Sequence, residues 1–219
     1  MERLILIFEM IGTISFALAG AMTGLRKEMD LFGVCVLGVT TAVGGGIIRD
    51  LILGQTPPAA FREPTSVLVA ILVSIIVFFP AVRRLFYRNK RLYEHVLLLA
   101  DSAGLGIFTV CGARVAMEAG DGANRFLVIF VAALTGVGGG VLRDLFAGNR
   151  PYIFIKHVYA CAALLGAVVC VYLWSWTGRY AAMLVGFCVV FALRLCSAHF
   201  RWSLPHARRL AEEEEKKSS

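Results

Sequence analysis

The chain has 219 residues, 58% of them hydrophobic and 17% charged, with a mean hydropathy of +0.75. A soluble domain of this length would be far more polar, so the composition excludes an ordinary globular fold and indicates a polytopic membrane protein. The formal net charge of +7 would suit nucleic acid or anionic lipid, and its distribution along the chain decides between these and a topological role.

About 20 apolar residues cross ~30 Å of hydrocarbon as a helix. Seven such stretches are predicted: Leu4–Gly24, Leu31–Leu53, Thr65–Leu85, Glu94–Val115, Arg125–Phe146, Phe154–Trp174 and Tyr180–Phe200. None shows the two-residue alternation of a barrel strand. The first begins almost at Met1 without a small-residue cleavage pattern, so it reads as a retained helix and not a signal peptide. It carries Glu9, where a carboxylate in hydrocarbon costs a few kcal/mol unless it faces the bundle interior or a wet cavity. An interfacial carboxylate reaching headgroup water is the other reading, and both stay open.

The second span contains Thr41-Ala-Val-Gly44-Gly45-Gly46-Ile-Ile-Arg49-Asp50-Leu51. After Gly54 comes Pro57-Pro58, which cannot continue a helix. The third span is plainly aliphatic up to Pro80 and ends in a basic run from Arg83 to Arg91. That run suits anionic headgroups, although a topology anchor needs no further role and is favoured. In the fourth span Asp101, Gly104, Phe108 and Gly112 repeat Glu9, Gly12, Phe16 and Gly20 at a constant offset of 92. The fifth repeats the glycine stretch as Thr135-Gly-Val-Gly138-Gly139-Gly140-Val-Leu-Arg143-Asp144-Leu145. With Gly54 and Gly148 included, the two copies share 9 identities in 14 positions. The sixth span is the counterpart of the third and closes on the interfacial aromatics Trp174 and Trp176. The seventh has no partner, and the tail after Arg201 reads as a solvated helix or disordered.

The expected fold is therefore all-α and polytopic: two three-helix repeats, 1–91 and 92–176, a seventh helix over 177–200 and a tail over 201–219. An odd number of helices per unit inverts the second unit relative to the first, an arrangement common in transporters and some channels. Seven spans also divide the Lys and Arg residues, leaving out Arg49, Arg143 and Arg194, into five on the amino-terminal side and fourteen on the other. The positive-inside rule then places the amino terminus outside and the carboxyl terminus in the cytoplasm of an inner (plasma) membrane. The basic balance is topogenic, and no nucleic-acid partner is expected.

Three consecutive glycines cost on the order of 3 kcal/mol relative to alanine in a helix. Close helix packing offsets that cost, and so does a kink that exposes backbone to a water-filled path. Three in a row exceed what packing asks for, so a kink is expected at Gly44–Gly46 and at Gly138–Gly140. Adjacent residues project about 100° apart on a helix, so Arg49 and Asp50 are expected to seek partners elsewhere. By depth, Glu9 is the expected partner of Arg49, and by the mirror relation Asp101 is that of Arg143. Thr41, Thr135, Thr13, Ser15 and Ser102 are candidate polar groups for a path. The six cysteines lie in spans without Cys-x-x-Cys spacing and read as reduced, packed thiols. His95, His157, His199 and His206 share no ligand spacing, and no hydrolase or zinc signature occurs. Neither catalysis nor a cofactor or metal is expected.

With both glycine stretches and the 3+3+1 layout in hand, the sequence resembles the prokaryotic trimeric intracellular cation (TRIC) channel family over essentially residues 1–200. The resemblance implies a homotrimer in membrane lipid, with a separate pore in each subunit lined by the kinked second and fifth helices together with the first and fourth. It implies conduction of K⁺ and other monovalent cations, with the transported ion as the sole ligand. The animal members carry Lys-Glu-Val where this chain has Ile48-Arg49-Asp50, so phosphoinositide dependence is not carried over. The same two-repeat domain has been labelled a glycine transporter. A secondary transporter of glycine or another small amino acid therefore stands as the alternative, since broken helices offer backbone groups to a carboxylate and an ammonium alike. A scaffold reading is weak, because a scaffold needs no mirror-related glycines.

Overall fold

The computed structural model describes residues 2–120, 124–155, 158–200 and 202. His157, His206 and the tail beyond Trp202 lie outside the described residues. Among those described every regular element is helical: α1 Glu2–Arg26, α2 Leu31–Ile52, α3 Ala59–Arg62, α4 Thr65–Phe78, α5 Pro80–Arg88, α6 Lys90–Glu118, α7 Arg125–Phe146, α8 Tyr152–Ile155, α9 Tyr159–Thr177 and α10 Arg179–His199. Six of these are long and apolar enough to cross a membrane, and α4 with α5 makes a seventh if the bent pair is one span.

Helix ends follow local chemistry. Asp30, Asn89 and Asn124 accept hydrogen bonds from the third residue beyond them (Gly33, Leu92 and Leu127) and so start α2, α6 and α7. At the other ends of α2 and α7 the chain turns through Gly54 (φ +68°) and Gly148 (φ +63°). In both copies the amide after the glycine donates back to the Asp carbonyl, Gln55 to Asp50 and Asn149 to Asp144, each at 2.8 Å. This is a Schellman stop, which needs a residue that tolerates positive φ.

Three expected spans are corrected. Thr65–Leu85 is not one helix, because Pro80 holds Phe79 in extended backbone (φ −57°, ψ 137°) and α5 leaves α4 at 65°. The sixth span begins at Tyr159, not Phe154, which belongs to the separate short helix α8 (Tyr152–Ile155). The fourth runs from Lys90 to Glu118, longer at both ends than the expected Glu94–Val115.

The helices pack as the repeat anticipates. Helix α1 lies on α2 and α4, and α6 lies on α7 and α9; the units meet where α2 crosses α7 and α1 lies along α6. Helix α10 packs outside the repeat, on α6 and α9. A central apolar cluster of Phe16, Ala42, Leu105, Val137, Tyr159 and Val190 joins both units. The end of the bundle where α1 begins is called the amino face, and the end where α10 finishes the carboxyl face.

Candidate functional site

The two glycine stretches meet at the crossing of α2 and α7. Helix α2 is helical without interruption through Gly44–Gly46, and so is α7 through Gly138–Gly140. Within these continuous helices the glycines come into close approach with one another. A Cβ on Gly45 would collide with the carbonyl oxygen of Thr135, and one on Gly139 with that of Thr41. Gly138 stands 3.2 Å, measured from its built Cβ, from the Gly45 Cα. Only hydrogen at these positions lets the two backbones touch. Thr41 and Thr135 spend their hydroxyls on the Leu37 and Val131 carbonyls, each at 2.6 Å, and are fully buried.

At the amino face a cavity of about 310 Å³ opens between α1, α2, α4 and α6, lined by Glu9, Thr13, Gly46, Arg49, Asp50 and Glu63 among others. Within it Arg49 does not reach Glu9 as expected. Its flexible side chain curls back so that Nη2 lies 2.7 Å from Asp50 Oδ1. Helical projection fixes where a side chain leaves the backbone, not where a long arginine ends. Asp50 uses its other oxygen to accept from the Ala59 amide at 2.8 Å, holding the first turn of α3. Glu9 is bonded instead to Arg114 of α6 at 2.8 Å. It lines the same cavity as Arg49 but makes its ion pair across to α6.

At the carboxyl face the mirror expectation holds. Arg143 Nη1 donates to Asp101 Oδ1 at 2.6 Å, and Nε to Asp144 Oδ1 at 2.9 Å. Asp144 accepts from the Tyr152 amide at 2.9 Å, the counterpart of Asp50 and Ala59. Tyr159 donates its hydroxyl to Asp101 Oδ1 at 3.3 Å, and Arg194 Nη2 lies 3.4 Å from Asp101 Oδ2. The two guanidinium groups lie over tyrosine rings, Arg143 at 5.1 Å from Tyr152 and Arg194 at 4.7 Å from Tyr159. Asp101, Arg143, Asp144 and Arg194 are all buried, two anions against two cations. Such a neutral, hydrogen-bonded set is tolerable in low dielectric where a lone charge is not.

Between the faces lie Phe16 and Phe108, repeat counterparts with ring centroids 5.2 Å apart. Phe108 lines the cavity, and Phe16 behind it is buried against Gly104 and Gly139. The sequence reading missed Arg114, Arg194, Tyr152 and Tyr159 as site residues. A signal existed for Arg194, an ionisable group five residues inside the end of an apolar helix. No group of His, Cys, Asp and Glu among the described residues is arranged to hold a metal.

A family model described as "Glycine transporter" matches residues 6–81 and 98–175, and each stretch contains one copy of the glycine device. A membrane protein of Deinococcus radiodurans, named as a UPF0126 protein, is 40% identical over 206 residues, covering 93% of this chain and 92% of its own. The inner membrane protein YadS of Escherichia coli K12, of the same UPF0126 group, is 34% identical and covers 90% and 93%. The crystal structure of the TRIC trimeric intracellular cation channel orthologue from Rhodobacter sphaeroides superposes with a TM-score of 0.82 at 35% identity, over 91% of this chain and 99% of that one. The chain belongs to the TRIC family. The matched residues cover most of both repeats of this TRIC-family chain, whereas α10, which brings Arg194, lies outside the family model.

Proposed function

We propose that the chain is a cation channel permeable to K⁺ and other monovalent cations, assembled as a homotrimer with one path in each subunit. The path runs from the amino-face cavity past Phe108 and Phe16, along the α2/α7 crossing, to the Asp101–Arg143 cluster. One observation carries the reading: the two repeats place equivalent charged groups at opposite ends of one crossing, and one end opens on a cavity of about 310 Å³ while the other is filled by a buried ionic cluster. In this reading the conformation is closed at the carboxyl face, and Arg143 leaving Asp101 opens it. Gly46 and Gly140 flank the two mouths, and glycine there keeps side chains out of the passage. The carboxyl face is cytoplasmic by its excess of Lys and Arg, and the membrane is the inner (plasma) membrane. The similarity to a solved TRIC cation channel supports conduction of cations.

A second reading is favoured by a specific observation. One open and one sealed mouth is also what a carrier of glycine or another small amino acid presents when it alternates access. Purified protein in planar bilayers under a K⁺ gradient separates the two. Unitary currents reversing near the K⁺ equilibrium potential support the channel, and saturable uptake of labelled glycine without such events supports the carrier.

A further inference from the structure

Each end of the crossing holds one carboxylate and two arginines, and the two ends use them differently. At the amino face Glu9 is bonded to Arg114 at 2.8 Å. Arg49 lines the same cavity as Glu9 and rests on Asp50. At the carboxyl face Asp101 takes Arg143 on one oxygen at 2.6 Å and Arg194 on the other at 3.4 Å. Glu9 and Asp101 are repeat counterparts, as are Arg49 and Arg143. The outer arginines are not: the position equivalent to Arg114 in the first unit is Met22, and Arg194 belongs to the unrepeated α10. The open mouth has its carboxylate on the unrepeated arginine, and the sealed mouth has the closer contact to the repeated one.

We propose that Arg114 and Arg194 are positioning residues that compete with Arg49 and Arg143 for Glu9 and Asp101, so that a mouth opens when its carboxylate passes from the repeated arginine to the unrepeated one. The proposal rests on a path running along the α2/α7 crossing. Partner exchange suits the chemistry. A guanidinium offers five donors and forms its best bond with a carboxylate it holds alone. When Arg143 releases Asp101 it keeps Asp144, as Arg49 keeps Asp50 at the open mouth, so no buried charge is stranded. Spare donors are already in place: Arg114 Nε, Arg143 Nη2 and Arg194 Nε are buried without a hydrogen bond among the described residues. The Tyr159 hydroxyl, already 3.3 Å from Asp101, stays with the carboxylate during the exchange.

Exchange and simple electrostatics predict opposite signs. Cationic groups beside a cation path repel the ion, so on field alone removing Arg114 or Arg194 raises flux. Under exchange, removing either lets the carboxylate settle on Arg49 or Arg143 and closes that mouth. The test uses the full chain. In planar bilayers with symmetrical KCl, R194Q is expected to lower open probability roughly fivefold or more with unitary current unchanged, R143Q to raise it, and R194K to restore part of the loss. Independently of current, a reporter Met10→Cys is placed in the amino-face cavity of a chain whose six native cysteines are replaced by alanine. Its modification by a membrane-impermeant thiol reagent is expected to slow severalfold in R114Q and to recover in R114Q/R49Q. A higher open probability in R194Q, or an unchanged M10C rate in R114Q, overturns the proposal. Where a glutamine variant fails to elute like the wild type, R114K and R194K are read instead, with a smaller effect of the same sign expected and its absence equally decisive. A wild-type chain that folds but gives no unitary current defeats the channel reading, and the M10C rates then judge the exchange alone.

Discussion

Replacing Gly45 with alanine places a methyl group against the carbonyl oxygen of Thr135, where α2 and α7 run backbone to backbone. A carbon normally approaches a carbonyl oxygen no closer than about 3.3 Å. The built Cβ sits well inside that limit, and its neighbour is rigid helix, so the two helices must part by on the order of 1 Å. Overpacking of this kind costs about 1–3 kcal/mol, offset by up to ~1 kcal/mol of better helix propensity for alanine. A net loss of ~1–2 kcal/mol lowers Tm by about 2–8 °C in a chain of this size. G139A, which meets the Thr41 carbonyl, is expected to do the same. Because one separation relieves both collisions, the double variant should cost less than the sum of the singles by at least ~0.5 kcal/mol. Gly46 is the internal control: its nearest neighbour is the tip of its own Arg49, 3.7 Å from the built Cβ, so G46A should be neutral or slightly stabilising. The assay is thermal unfolding of the detergent-purified protein. G46A as damaging as G45A, or strict additivity of G45A and G139A, refutes the packing argument.

Asp101→Asn leaves Arg143 and Arg194 facing a neutral amide in a buried site, and should cost about 3–5 kcal/mol, seen as a large fall in Tm or in folded yield. Asp50→Asn should cost clearly less, because its partner Arg49 reaches the amino-face cavity. In a double-mutant cycle by thermal unfolding, Glu9 and Arg114 should couple by ~0.2–1 kcal/mol, the range for a partly exposed pair, whereas Glu9 and Arg49 should be additive. Asp144→Ala, which removes the acceptor of both Arg143 Nε and the Tyr152 amide, should destabilise more than Asp50→Ala in the same measurement.

The sequence carried the architecture because duplication makes a membrane protein self-referencing. An offset of 92 tied Asp101 to Glu9, and the same mirror relation anticipated the bond from Arg143 to Asp101. Helix ends were legible where chemistry is local, at Asp30, Gly54 and Gly148. What stayed hidden depended on reach and on neighbours. Arg49 turns back on Asp50 because a long side chain is not bound by the direction in which it leaves the helix. Arg114 escaped notice because it lies one residue before Val115, where hydropathy ends, although the helix continues to Glu118. The three glycines in a row were read as exceeding what packing asks for. That they let two helices touch depends on which segment lies opposite, and the repeat alone does not say that Thr135 and Thr41 fill that place.

The bend at Pro80 changes how this protein sits in its solvent. Helix α4 has 14 residues, about 21 Å at 1.5 Å per residue, against ~30 Å of hydrocarbon. Its repeat counterpart α9 has 19 residues and spans nearly the full depth. One flank therefore offers the acyl chains a wall roughly a third too short, ending in the basic helix α5 turned 65° aside. Where that flank meets lipid, the bilayer thins or tilts at a fraction of a kcal/mol per ångström of mismatch. Any rearrangement of α4 against α1 and α2 then works with or against the bilayer's elastic load. Acyl-chain length becomes a mechanical variable for this chain, acting on one side of the molecule only.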